Sequence, residues 1–155
     1  NEEFFFGATI QSNVLPLNLQ TLIFGFNYNA KVNKGVLPLN LRTLIFGNCY
    51  NRPIDIGVLP SSLINLVFGY YYGSDYNKPF KVGVFPSSLK LLALNKNYNK
   101  KIDNDVLPPS LVKLLFTGCG SFKSKLKILP GGVISKVHYI GANNECEIIN
   151  KHLFN

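Results

Sequence analysis

The sequence contains no methionine and no tryptophan, and only two of its 155 residues are histidine. With Asn1 first and no initiator Met, the expectation is a piece of a longer protein or a processed chain. His138 and His152 both lie near the C-terminus, and no His-x-x-x-His or Cys-x-x-Cys spacing offers a metal site. Cysteine is scarce and odd in number: Cys49, Cys119 and Cys146. An odd count argues against a disulfide framework and fits a reducing, cytoplasmic compartment. No apolar run approaches the roughly 18 residues that span a bilayer. No basic, apolar leader is visible at the front, so neither membrane nor secretion is expected.

Acidic residues are also few. Eight Asp and Glu face sixteen Lys and Arg, giving +8. Residues 1–77 sum to zero, so the whole excess lies in residues 78–155. A basic half suggests an acidic partner, although a compositional bias towards Lys and Asn accounts for the same excess. Nucleic acid is disfavoured, because Lys96, Lys100, Lys101, Lys123, Lys125 and Lys127 lack regular aromatic interleaving. Catalytic groups are equally sparse. Cys146 lies between Glu145 and Glu147, whose charges oppose a thiolate. Gly131-Gly132 lacks the Lys-Ser/Thr ending of a phosphate loop, and Asp103 and Asp105 read as a solvated turn pair. No enzyme activity and no cofactor are expected.

What is present is a repeated motif, Leu-Pro-x-x-Leu-x-x-Leu-x-Phe. It opens at Leu15-Pro16, Leu37-Pro38, Leu59-Pro60, Phe85-Pro86 and Leu107-Pro108, and fades at Leu129-Pro130. The Pro-to-Pro spacings are 22, 22, 26, 22 and 22 residues. A fixed period of this size marks a solenoid, in which each coil buries its apolar face against its neighbours. The fold class is a mainly β solenoid, a right-handed stack of about six 22-residue coils with a parallel sheet on one face. The whole chain, 1–155, reads as one domain: a partial coil over 1–14, regular coils over 15–130, and a degenerate coil with a C-terminal cap over 131–155.

Within a coil, Pro has no N–H for a sheet ladder and therefore stands before the strand. Strands are expected at 21–24, 43–46, 65–68, 91–94 and 113–116. Alternation sends Leu22 and Phe24, Leu44 and Phe46, Leu66 and Phe68, Leu92 and Leu94, and Leu114 and Phe116 inward. Gly25, Gly47 and Gly69 then allow a sharp turn. Phe6-Gly7 reads as the front-coil counterpart of Phe24-Gly25, and Val137 and Tyr139 as an inward pair at the back. Ser88 to Leu94 alone looks helical, but the repeat overrules it. Each coil returns through Tyr28-Asn29, Tyr50-Asn51, Tyr76-Asn77 or Tyr98-Asn99, followed by extended chain.

Tyr50-Asn51-Arg52-Pro53-Ile54 with Gly57-Val58-Leu59-Pro60-Ser61-Ser62-Leu63 resembles the FNIP repeat, a relative of the leucine-rich repeat. The resemblance covers roughly residues 6–130 and weakens at Ala30 and Lys101, where the Pro is missing. Leucine-rich repeats place Asn or Cys in the turn after the strand, which here falls on Asn27, Cys49, Asn97 and Cys119. The resemblance implies a protein-interaction solenoid, of the kind found after an F-box, where the repeats hold the substrate of a ubiquitin ligase.

Two features point to where a protein partner binds. The outward strand positions form a column of Ile23, Ile45, Val67, Ala93 and Leu115, flanked by Asn65, Leu91 and Lys113 among others. An exposed apolar stripe of that length would be a contact surface. The 26-residue coil gains its extra length around Tyr70, Tyr71 and Tyr72, a residue type enriched in recognition surfaces. Self-association through the solenoid ends is the third reading, since an open coil exposes core and strand edge.

Overall fold

The structure, a computed structural model, describes residues 2–4, 9–69, 74–95, 97–117 and 137–140. Among the described residues, seven short strands form one parallel sheet in strict chain order. They are β1 (Glu2–Phe4), β2 (Thr21–Phe24), β3 (Thr43–Phe46), β4 (Asn65–Phe68), β5 (Leu91–Asn95), β6 (Lys113–Thr117) and β7 (Val137–Ile140). No helix occurs among the described residues, and the stretch with a local helical pattern leads into β5. The five expected strands start where the repeat places them. The proposed cap, which includes Cys146, lies outside the described residues, as does Cys119 of the fifth coil.

Register follows the repeat. Thr21, Thr43, Asn65, Leu91 and Lys113 stand side by side across β2 to β6. The four-residue insertion is absorbed between β4 and β5, and the last coil takes one extra residue, so that Leu114 faces Val137. At the front, Phe4 and not Phe6 stands opposite Phe24, which corrects the expected pairing. The slip is of two residues, one full period of strand alternation. It also lengthens the first coil from 18 residues to 20, nearer the length of the others.

The motif residues build the coil by local chemistry. Each Pro carbonyl accepts the N–H of the Leu three residues on, at 3.0–3.1 Å from Leu19 through Leu111. Proline suits that place because the turn uses its carbonyl and needs no N–H. Ser62, Ser88 and Ser110 then donate through Oγ to Leu41, Leu63 and Leu89 carbonyls at 2.7, 2.6 and 2.8 Å, tying each coil to its predecessor. At the far corner the backbone is left-handed at Gly35, Gly57 and Gly83. Asn13 takes the same place in the first coil at φ 64°, a conformation its short polar side chain tolerates. Gly47 is required for a different reason. A Cβ there would lie 2.0 Å from the Gly25 carbonyl oxygen.

Between sheet and return limb runs a continuous apolar core. All ten expected inward residues of β2 to β6 are buried. Their rings stack coil on coil: Phe24 on Phe46 at 5.2 Å and Phe46 on Phe68 at 5.4 Å between centroids. A second row runs Tyr28, Tyr50, Tyr76, Tyr98 at 6.1, 6.1 and 6.3 Å, with planes within 11° of parallel. Within a coil, Phe46 and Tyr50 lie 3.8 Å apart. Offset stacking of this kind adds about 0.5–1.5 kcal/mol per pair beyond the buried area.

The tyrosine row carries a cost. Among the described residues no protein group hydrogen-bonds the buried hydroxyls of Tyr28, Tyr50 and Tyr76. Burial pushes the Tyr28 phenol up to about 12. The same cause raises Tyr50 and Tyr76 further, with neighbouring tyrosines adding to it.

Two predictions follow from this packing. Tyr50→Phe removes a buried, unpaired hydroxyl and should leave stability unchanged or raise it by about 1 kcal/mol in denaturant unfolding. In wild type the folded chain holds these phenols neutral where the unfolded chain has lost their protons. Stability is therefore full below the ordinary tyrosine value of 10.0 and falls as pH rises through the folded values, a loss that Tyr50→Phe should reduce. Gly47→Ala forces two backbones apart and should cost about 3 kcal/mol. Gly83→Ala, with open space but φ 82°, should cost only about 1–2 kcal/mol. Equal losses at the two glycines would contradict the close approach at Gly47.

Candidate interaction faces

Strand alternation places Ile23, Ile45, Val67, Ala93 and Leu115 together on the side of the sheet away from the main core, as expected. They are not an open stripe. With Leu91 they form a second apolar cluster, in which Ile45, Val67 and Leu115 are 0% exposed and Ala93 and Leu91 are buried. Ile23, at the front of the row, is half-buried. This corrects the expected exposed surface. In-register pairing sets each apolar side chain between two of its equivalents, one strand spacing of about 4.8 Å away. Parallel strands buried on both faces read as continuous apolar runs, as Leu22-Ile23-Phe24 and Leu44-Ile45-Phe46 do.

The flanking column is more polar. Asn65 is half-buried, and its Nδ2 donates to Thr43 Oγ1 at 3.1 Å. Lys113 is half-buried in the same column, whereas Leu91 has joined the apolar cluster. At the strand exits, Asn95 and Thr117 are buried polar residues standing where earlier coils have glycine. The Asn95 side chain turns back to accept the Asn97 N–H at 2.9 Å. That departure from glycine was visible in the sequence.

Tyr70, Tyr71 and Tyr72 lie outside the described residues. The bases of their insertion are well defined. Gly69 leaves the sheet with φ 83° while its N–H donates to the Phe46 carbonyl at 2.9 Å. On the return side the Asp75 N–H donates to the Asn48 carbonyl at 2.7 Å, and the Tyr76 N–H to Ser74 Oγ at 3.1 Å. Elsewhere the equivalent tyrosine N–H bonds a backbone carbonyl: Tyr28 to Gly25, Tyr50 to Gly47, Tyr98 to Asn95. Ser74 substitutes for that carbonyl and delivers Tyr76 into the ring row without a break.

The turn residues behave differently from expectation. Asn27 and Asn97 are exposed, and half-buried Cys49 reaches only Asn27 Oδ1, at 3.7 Å through its thiol. The backbone-satisfying role belongs instead to the asparagine after each tyrosine. Asn29, Asn51 and Asn77 each accept, through Oδ1, the N–H of the equivalent residue one coil later, at 3.0, 3.1 and 3.1 Å. The recurring Tyr-Asn pair was the available signal.

Two exposed ion pairs lie on the return limb: Lys31 with Asp55 at 2.8 Å and Lys101 with Asp103 at 2.7 Å. The Lys31 hydrogen bond holds the Asp55 carboxyl below its usual range, and Asp103 likewise raises the Lys101 ammonium. Exposed pairs of this kind add little to stability. Among the described residues no group of three or more His, Cys, Asp or Glu could hold a metal ion, and no helix is long and apolar enough to cross a membrane.

A family model described as FNIP Repeat matches residues 6–49, 50–74 and 76–119, well over half of the chain. The chain belongs to the FNIP repeat family. Its FNIP coils also resemble a solved structure described as CroV588, a novel circular leucine-rich-repeat protein, at 26% identity and TM-score 0.49. That likeness covers 88% of this chain and 26% of the other, so the chain spans about a quarter of that protein's length. A comparison with curated protein sequences returns no match.

Burial of the FNIP strand face has a direct test. Val67→Lys puts an ammonium among Ile45, Ala93 and the strand backbone, and should lower stability by about 3 kcal/mol or more in urea unfolding. An unchanged melting curve would show that this face is open to solvent.

Proposed function

We propose that this FNIP stack is a protein-interaction scaffold rather than a catalyst, and that it serves as the substrate-holding part of an F-box-type ubiquitin-ligase adaptor. The observation that carries the interaction reading is the insertion in the third full coil. It adds four residues and three consecutive tyrosines that the core does not require, since Tyr76 keeps its place 6.1 Å from Tyr50 and 6.3 Å from Tyr98. Hydrogen bonds from Gly69, Asp75 and Tyr76 fix both bases of that segment. A loop held at its base on a rigid stack is the usual site of recognition, and tyrosine supplies amphipathic contact area at low entropic cost. The partner surface in this reading comprises Tyr70–Tyr72 and the partly accessible strand-face residues Ile23, Asn65 and Lys113. The F-box part rests on the family resemblance alone.

The experiment is capture of partners on the immobilised chain, followed by affinity measurement with the purified partner. Tyr71→Ala should weaken binding by about 1–2 kcal/mol while leaving the melting temperature unchanged. Normal binding by Tyr71→Ala and by a Tyr70/Tyr71/Tyr72→Ser variant would remove the insertion from the interface. Recovery of the partner in ubiquitylated form, in the presence of a complete ligase, tests the adaptor role.

A further inference from the structure

The asparagine ladder on the return limb has a consequence one residue further along the chain. Because the N–H groups of Asn51, Asn77 and Asn99 are each bonded to the preceding coil, these residues are stacked directly above one another. The residues that follow them are held in the same register, and in the second, third and fourth full coils they are Arg52, Lys78 and Lys100. The ladder therefore sets three cations in consecutive coils, on a limb where the tyrosine rings two residues earlier stand 6.1 and 6.3 Å apart. Like charges at that distance repel, so the row is an electrostatic cost to the free protein.

Among the described residues, neither ion pair involves the row. Asp55 is paired with Lys31 and Asp103 with Lys101, both outside the row. Arg52 spends its Nε on the Asn29 carbonyl, at 2.9 Å, which leaves the outer guanidinium nitrogens of the fork for another acceptor. Apolar surface accompanies the charge. Pro53 and Pro79 follow the first two cations and are exposed, and Ile56 and Val82, at equivalent places in adjacent coils, are each 58% exposed.

We propose that this row binds an acidic, extended segment of a partner protein, with carboxylates on Arg52, Lys78 and Lys100 and apolar side chains on Ile56 and Val82. Carboxylates at alternate residues of an extended chain fall on one face about 6.6 Å apart, close to the 6.1 and 6.3 Å coil steps of the neighbouring tyrosine row, and long Lys and Arg arms span the remainder. Charge complementarity selects the acidic segment. A single-stranded nucleic acid would need exposed aromatic platforms, and the tyrosines beside the row, Tyr50, Tyr76 and Tyr98, are buried in the core. None of these residues belongs to the tyrosine insertion, so either reading can fail without the other.

The test is fluorescence anisotropy with a labelled peptide of alternating Glu and Thr as probe. Wild type should bind saturably and more weakly as salt rises. An Arg52→Ser/Lys78→Ser/Lys100→Ser variant should lose at least about tenfold in affinity, whereas Lys34→Ser/Arg42→Ser/Lys90→Ser, with the same change in net charge, should stay within about twofold. Lys78→Glu/Lys100→Glu, which keeps the Arg52 bond to the neighbouring coil, should lose at least as much as the first triple. Equal losses in the two triple variants would reduce the effect to net charge and overturn the proposal. Tighter binding of an oligo-dT of matched charge would overturn it in favour of nucleic acid.

Discussion

Stacking of each coil on its equivalent one strand spacing away is the constraint on which the rest of this molecule depends. Every feature that holds the chain together is an instance of it. Ring meets ring in the Phe24–Phe46–Phe68 and Tyr28–Tyr50–Tyr76–Tyr98 rows. Asparagine meets backbone along Asn29, Asn51, Asn77 and Asn99. Serine meets the preceding coil's carbonyl at Ser62, Ser88 and Ser110. In such a stack a residue's neighbours are its own equivalents about 22 positions away, so stability approximates a sum of coil and nearest-neighbour terms.

This explains why so much of the fold was legible in the sequence. The Pro spacings carry the register directly, and alternation within four residues decides which side chains enter the core. β2 to β6 and their inward pairs follow from those two facts alone. The front coil shows the limit. Phe4 and Phe6 are two residues apart in the sequence, so alternation alone cannot choose between them, and the register of β1 falls on Phe4. The asparagine ladder was harder to read, because its bonds run between coils and no single coil shows why Asn should follow Tyr. The strand face was misjudged for a related reason. Alternation tells which residues point away from the main core but not whether that second side is solvated. The unbroken apolar runs in β2 and β3 were the better guide, since a half-exposed strand would have interrupted them with polar residues.

The insertion shows how the same constraint tolerates novelty. Four added residues would break the ring row if they shifted Tyr76, and Ser74 prevents that by supplying the acceptor a backbone carbonyl supplies elsewhere. Lengthening a loop costs little entropy once its ends are fixed. The stack can therefore carry extra sequence at a coil corner while its columns continue undisturbed.

Columns that repeat without change and columns that vary do different physical work. The inward columns hold Leu, Phe and Tyr in coil after coil, because any other choice breaks two interfaces at once. Variation in charge and polarity is widest at the more accessible positions. The residue after each ladder asparagine runs Ala30, Arg52, Lys78, Lys100, and the residue after each motif proline runs Leu17, Leu39, Ser61, Ser87, Pro109. The exposed leucines Leu17 and Leu39 stand in the same column as two serines, so the stack does not depend on what occupies that place. A regular solenoid without such columns would present the same surface at every coil and could not position a partner along its length. Discrimination in this architecture has to come from the departures, and the two largest here are a tyrosine-bearing insertion and a row that turns from alanine to three cations.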